Sequence, residues 1–112
     1  VKSRLRAIAR DKSRKRMMQA VPTATLIVAN PTHIAIALRY NPAKDAAPIV
    51  VAMGADLIAQ RIREIAAEHD IPVFQRVELA RALYRAVNVN HIIPAKFYAA
   101  LAELIRIINA RS

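Results

Sequence analysis

Residues 23–40 read TATLIVANPTHIAIALRY, which are two apolar runs separated by one polar corner. The first run, residues 23–29, is short and rich in β-branched side chains, and this is typical of a buried strand. Residues 33–40 alternate in side-chain size and predict a half-buried strand. One predicted face carries Ile34, Ile36 and Leu38, and the other carries Ala35, Ala37 and Arg39. The stretch therefore predicts two neighbouring strands joined by a turn.

Downstream of this stretch, short strands and helices follow one another. Residues 41–48 predict a loop, and residues 49–53 predict a third strand that Gly54 ends, with Asp56 at a helix N-cap or first turn. A helix with Ile58, Ile62 and Ile65 on one face follows, then a fourth strand at 71–75 whose Pro72 favours a strand start or a sheet edge. A second helix carries Leu79, Leu83, Ala86 and Val87, and a third has Pro94 in its first turn and a stripe of Phe97, Leu101, Leu104, Ile105 and Ile108. The order β-β-β-α-β-α-α predicts an α/β fold, a small, mostly four-stranded central sheet flanked by helices.

Composition excludes several classes of protein. The chain has 112 residues, 55% of them apolar, which rules out global disorder and suits one small domain. No apolar run approaches the ~18–20 residues that cross a bilayer. With no cysteine and a single glycine, disulfides, thiolate metal sites and Gly-rich phosphate loops are excluded. Because the chain opens at Val1 without a signal peptide, we expect a fragment of a longer protein.

Positive charge is concentrated at the start of the chain. Residues 1–20 contain eight basic residues and one acidic residue, whereas residues 21–112 contain ten basic and seven acidic residues. We interpret residues 1–22 as a basic helical linker and residues 23–112 as the domain. The linker has three possible functions: a solvated connection, a nucleic-acid-binding arm, or a juxtamembrane segment near anionic lipid. It lacks aromatic residues that would stack on bases, which weakens the second interpretation.

The tetrad Asn30-Pro31-Thr32-His33 lies between the first two predicted strands. The ordinary interpretation is a turn, and Pro31 excludes N-glycosylation of Asn30. The alternative is self-cleavage, in which the Asn30 carboxamide nitrogen attacks its own backbone carbonyl carbon, closes a succinimide ring and expels the nitrogen of Pro31. A fold that holds these groups together gains effective molarities of ~10⁵–10⁸ M. A strained turn and backbone N–H donors to the oxyanion would add to this gain.

Histidine and threonine side chains supply the remaining candidate chemistry. Thr32 can orient the turn through a side-chain hydrogen bond to the backbone. His33 can transfer protons, although the spacing alone favours a strand-end histidine without any function. His69 and His91 lack the spacing of metal ligands, so we predict no metal and no cofactor.

The tetrad and further segments together resemble the FlhB/YscU family, the export-switch proteins of bacterial type III secretion. The tetrad stands between TLIVA and IAIALRY, as in that family. Further matching segments are RMM at 16–18, VP at 21–22, VAMGADLI at 51–58, IREIA at 62–66, IPV at 71–73, LARALY at 79–84 and IP at 93–94. The resemblance covers nearly the whole chain.

The resemblance implies the cytoplasmic domain of an inner-membrane protein, with its membrane helices upstream. It implies single-turnover autoproteolysis between Asn30 and Pro31, after which the two pieces stay together, and a change in export specificity from early to late substrates. Implied partners are export-gate components, a length-control (ruler) protein and secreted substrates, with no nucleic acid. Implied docking positions for substrates or partners are exposed apolar residues, namely Ala47, Pro48, Ala102 and Ile105; core packing is the alternative for Ile105.

Several positions depart from the family pattern. They are Ile34 for a frequent Tyr, Met53 for a frequent Lys, Glu78 for a frequent Pro, and Ala95-Lys96 for a frequent acidic pair. None lies in the tetrad. The overall match favours flagellar members, and an injectisome homologue with the same switch function is the alternative. More distant alternatives are a basic nucleic-acid-binding domain and a structural adaptor in which the tetrad is only a turn.

Overall fold

A computed structural model describes residues 12–31 and 33–111. Residues 12–20 are helical (α1), and a 3₁₀ turn at Val21–Thr23 follows. The other elements are β1 (Leu26–Asn30), β2 (Ile34–Arg39), β3 (Ile49–Ala55), α2 (Leu57–Glu68), β4 (Val73–Gln75), α3 (Val77–Ala86), a 3₁₀ turn (Ala95–Phe97) and α4 (Tyr98–Ala110). The predicted fold class and the predicted element order are both confirmed.

The four strands form one mixed sheet in the order β3-β2-β1-β4. β1 pairs antiparallel with β2 and parallel with β4, and β2 pairs antiparallel with β3. β4 is an edge strand, and Pro72 directly precedes it. This agrees with the prediction that a proline favours a strand start or a sheet edge. The topology places β1, which ends at Asn30, in the interior of the sheet.

Apolar side chains cover both faces of the sheet, so the half-buried strand predicted for residues 33–40 is wrong. Ala35 and Ala37 are fully buried, because α2 packs on their face of the sheet. The opposite face meets α3 and α4. Its cluster includes Leu26, Val28, Ile36, Leu38, Leu83, Leu101 and Leu104. The small alanines on β2 let α2 approach closely. In the sequence pattern, small residues at alternate positions resemble the solvent-exposed face of a half-buried strand.

The end of β3 also differs from the prediction. Gly54 does not end the strand, which continues to Ala55, and Gly54 pairs with Ala35. A β-carbon on Gly54 would collide with the side chain of Ile58 on α2, so the glycine lets the helix pack against the strand. Asp56 stands at the N-cap of α2 as predicted, but its side chain makes no capping hydrogen bond.

The first and last described helices, α1 and α4, complete the fold. Half-buried Met17 and Met18 of α1 pack against the cluster that contains Val21. The predicted division at residues 22/23 remains a prediction, and residues 1–11 of the predicted linker lie outside the described residues.

Pro94 precedes the turn before α4 and does not lie within the helix itself. In the part of the chain that the structure describes, no helix is long and apolar enough to cross a membrane.

Candidate functional site

Asn30 is the last residue of β1 and pairs with Ile34, the first residue of β2. Three residues connect this pair, and they include Pro31 and His33. Asn30 is 9% exposed, Pro31 is half-buried and His33 is exposed. Thr32 lies outside the described residues, so its proposed orienting function stays a prediction. The corner therefore places the candidate nucleophile in the protein interior and the candidate proton carrier at the surface.

Three backbone hydrogen bonds hold the corner. The His33 N–H donates to the Asn30 carbonyl oxygen at 3.0 Å, the Asp56 N–H donates to the His33 carbonyl oxygen at 2.9 Å, and the Arg76 N–H donates to the Ala29 carbonyl oxygen at 3.0 Å. The last two donors come from distant parts of the chain, the end of β3 and the start of α3. The backbone on both sides of Asn30 is thus fixed by tertiary contacts.

The side-chain carboxamide of Asn30 is in a different situation from its backbone. By strand alternation it shares the face of Leu26 and Val28, which α3 covers. No residue within 12–31 and 33–111 forms a hydrogen bond with this carboxamide. The fold thus holds the Asn30 carbonyl in place, while no hydrogen bond from a described residue holds the carboxamide away from it.

Asp56 is a part of the corner whose function the sequence analysis missed. Its φ of 53° and ψ of −115° lie in a region that L-residues rarely occupy. This conformation joins β3 to α2 in one residue, while the Asp56 N–H still reaches the carbonyl of His33. Its position between a strand and a helical pattern is the only sequence signal, and that signal indicated a side-chain cap.

A second region brings together the four predicted docking residues. Ala47, Pro48, Ala102 and Ile105 all line one groove of about 430 Å³ between the loop before β3 and helix α4. Ala102 is exposed and Ile105 is half-buried, whereas Ala47 and Pro48 are buried, contrary to the expected exposure. Ile105 also packs against the core, as its alternative interpretation expects, and its docking function stays a prediction. Tyr40, Tyr98 and Arg106, which the sequence did not single out, line the same groove.

An ion pair holds the loop that leads to this groove. The Arg39 guanidinium donates to both carboxylate oxygens of Asp45, at 3.2 and 3.0 Å, and the Asn41 N–H donates to Asp45 Oδ2 at 2.9 Å. The hydrogen bonds from Arg39 and from the Asn41 backbone lower the pKa of Asp45 below its ordinary value. Asp45 lies six positions after Arg39, and no periodic pattern in the sequence pairs them.

The other histidines lie apart from both regions. His69 is the C-cap residue of α2, and His91 Nδ1 lies 3.0 Å from the Val89 carbonyl oxygen. Across the residues that the structure describes, no three of His, Asp and Glu are grouped to hold a metal ion.

A family model described as the FlhB HrpN YscU SpaS family matches residues 1–108. The chain belongs to this family. A flagellar biosynthetic protein FlhB from Aquifex aeolicus is 58% identical over 94% of the chain and 30% of its own length. The Yop proteins translocation protein U of Yersinia pestis is 39% identical over 95% of the chain and 30% of its own length. The chain thus spans about a third of the length of its curated relatives.

Solved cytoplasmic and C-terminal domains of FlhB and EscU share the fold. The cytoplasmic domain of FlhB from Shewanella putrefaciens has a TM-score of 0.80 and 39% identity, over 83% of this chain and 71% of that one. In two similar EscU C-terminal domains, an asparagine or the proline directly after it is replaced by alanine. Their TM-scores are 0.79 and 0.78, each at 37% identity over 81% of this chain and 91% and 90% of theirs.

Proposed function

We propose that this chain cleaves itself once between Asn30 and Pro31 and thereby controls a switch in the specificity of protein export. The observation that supports cleavage is the contrast at Asn30. Its backbone carbonyl is held by the His33 N–H at 3.0 Å, while no described residue forms a hydrogen bond with its carboxamide. In EscU, an asparagine and the proline directly after it have each been replaced by alanine, which is consistent with a functional Asn-Pro pair in the family.

The cleavage step is an internal acyl transfer. The Asn30 Nδ2 atom attacks the backbone carbonyl carbon of Asn30, and a five-membered ring closes. The carbonyl oxygen gains negative charge, which the His33 N–H stabilises because it already points at this oxygen. The C–N bond to Pro31 then breaks. One proton leaves Nδ2 and one arrives on the Pro31 nitrogen, so the products are a C-terminal succinimide and a new N-terminal proline.

Proton transfer falls to His33 and water in this proposal. The exposed side chain of His33 follows Pro31 by two positions, and solvent can exchange protons with it. Thr32 retains its predicted orienting function. The chain acts on itself once and is not a turnover protease.

Intact mass spectrometry of the purified chain tests cleavage directly. We expect two fragments, residues 1–30 and 31–112, without added protease. Asn30→Ala should leave one full-length species because it removes the attacking nitrogen. Asn41→Ala, which alters the other Asn-Pro pair, is the matched control and should cleave like the wild type. A wild-type chain that stays intact for days at neutral pH would overturn the proposal.

After cleavage the fragments are expected to stay associated. β1 remains in the sheet between β2 and β4, with five residue pairs on one side and three on the other. Leu26, Ile27 and Val28 are at most 1% exposed, and burial of each such side chain contributes about 1.5–3 kcal/mol. The two fragments should therefore co-elute in size-exclusion chromatography and separate only in denaturant.

The setting we propose is a flagellar export apparatus at the bacterial inner membrane. The flagellar relative from Aquifex aeolicus, at 58% identity, supports this setting over the injectisome, whose Yersinia pestis relative is 39% identical. Export-gate components, a length-control protein and secreted substrates are the proposed partners. A chimaera that joins this domain to the membrane part of a flagellar relative should restore motility in a strain lacking that relative. Restored injectisome secretion without motility would favour the alternative.

The groove is the proposed docking site for an apolar segment of a partner or substrate. Its support is that Ala47, Pro48, Ala102 and Ile105, the docking positions that the family resemblance implies, line one cavity. Ala102→Glu should reduce export without reducing stability, because Ala102 is already exposed. Ala99→Glu, also exposed on α4 but outside the groove, is the control. Equal export by the two variants would argue against docking here.

A further inference from the structure

The groove has an uneven charge distribution along α4. Arg106 lines the groove, is exposed, and forms no ion pair with any residue in the described ranges. The acidic residue nearest to it along the helix, Glu103, stands three positions earlier and lines a separate groove together with Glu78. Among the described residues, no carboxylate lines the groove beside Arg106.

The loop wall of the groove adds no compensating acid. Asp45 stands next to Ala46 and Ala47, but its side chain is only 3% exposed and is bound by Arg39. The Asn41 N–H occupies the same carboxylate. The rest of the lining is apolar or neutral, with Tyr40 and Tyr98 as the aromatic members. The groove thus combines an apolar floor with one cationic residue and no acidic residue in its lining.

We propose that the groove selects a peptide segment in which an apolar side chain is accompanied by a carboxylate that pairs with Arg106. This inference rests on the docking part of the proposed function and adds the chemistry of the bound segment. The apolar floor supplies affinity by burying a side chain, and the exposed guanidinium supplies the choice between acidic and neutral segments. A segment with Lys in place of the acid is disfavoured by repulsion from Arg106.

Titration of the ¹⁵N-labelled chain with three capped peptides tests this inference. The probes are acetyl-GLLDG-amide, acetyl-GLLNG-amide and acetyl-GLLKG-amide, and the readout is the shift of the Ala102 and Ile105 amide signals. At low ionic strength we expect the acidic peptide to bind about two- to five-fold more tightly than the neutral one, the range for an exposed ion pair. The ratio should approach one at high salt.

Charge reversal supplies the matched variant. Arg106→Glu should reverse the order, so that the Lys peptide binds most tightly. Arg111→Glu changes net charge equally but lies outside the groove lining, and it should keep the preference for the acidic peptide. Equal binding of all three peptides with shifts at Ala102 would overturn the charge selection and leave docking intact. No shift at Ala102 or Ile105 with any peptide would overturn docking itself, and the inference with it.

Discussion

The chain contains two Asn-Pro pairs, Asn30-Pro31 and Asn41-Pro42, and they differ in where their partners come from. The Asn41 carbonyl accepts hydrogen bonds from Lys44 and Asp45, and its side-chain Oδ1 accepts one from the Ala43 N–H. The groups that hold Asn41 in this exposed turn thus lie within four residues of it. The corner at Asn30 is held by Asp56 and Arg76, from distant strands and helices.

A hydrogen bond to the carbonyl does not distinguish the two sites, since both carbonyls accept one from the residue three positions later. The difference lies in the carboxamide. At Asn41 an Asx turn holds it, and rotation of Nδ2 towards the carbonyl carbon would break the bond to Ala43. At Asn30 the described residues leave the carboxamide free while tertiary contacts hold the backbone. This difference predicts cleavage at Asn30-Pro31 and not at Asn41-Pro42.

Unfolding should remove the difference between the two pairs, and this is the largest effect we expect. In concentrated guanidinium chloride, cleavage at Asn30–Pro31 should slow at least about 100-fold, because the proximity of nucleophile and carbonyl is lost. Intact mass spectrometry measures this on three samples: Asn30→Ala, wild type kept in denaturant from lysis onward, and wild type after refolding. Unchanged cleavage in denaturant would mean that the local sequence suffices.

Truncation of β1 should weaken the support of the corner. Leu26→Ala removes a side chain that is 1% exposed, and we expect a loss of about 2–5 kcal/mol in the free energy of unfolding. After cleavage the 1–30 fragment should also dissociate more readily. Leu57→Ala, at a side chain 80% exposed, is the control and should change stability by less than about 0.5 kcal/mol. Equal losses in chemical denaturation would contradict the burial of β1.

Relief of backbone strain at Asp56 should have a smaller effect. Asp56→Gly keeps the N–H that binds the His33 carbonyl and removes the cost of a positive φ, so stability should rise by up to about 1 kcal/mol. Asp56→Ala keeps the β-carbon and with it the strain, so stability should not rise. Cleavage at Asn30–Pro31 should continue in the glycine variant. A glycine variant less stable than wild type would show that the Asp side chain, and not the backbone, matters here.

Acid should loosen the Asn41 turn before it affects the Asn30 corner. The hydrogen bonds from Arg39 and the Asn41 backbone hold the pKa of Asp45 low, so their stabilisation is present above the unfolded pKa of about 3.9. It is lost as pH falls through the lower folded value. Amide exchange at Ala43 and Lys44 should therefore rise in acid, and Asp45→Asn should show this rise already at pH 7. Asp70→Asn, at an exposed residue, is the control.

Much of the fold could be predicted because its signals are local. The β-branched run before Asn30, the helical stripes and the position of Pro72 each indicate the correct element. The alanines of β2 misled the prediction, since burial against a close helix and exposure to water both favour small side chains. The predicted strand end at Gly54 is wrong because a glycine can interrupt a strand, but its missing β-carbon can equally allow a helix to pack closely.

The sequence by itself determined the element order, the family and Asn30-Pro31 as the candidate cleavage site, because these depend on residue types and short spacings. Tertiary structure alone decided that β1 lies between β2 and β4, that Asp56 and Arg76 hold the Asn30 corner, and that Ala47 meets Ala102 across a groove. Such pairings join residues far apart in the chain. They follow from burying both faces of the sheet at once, which no local pattern encodes.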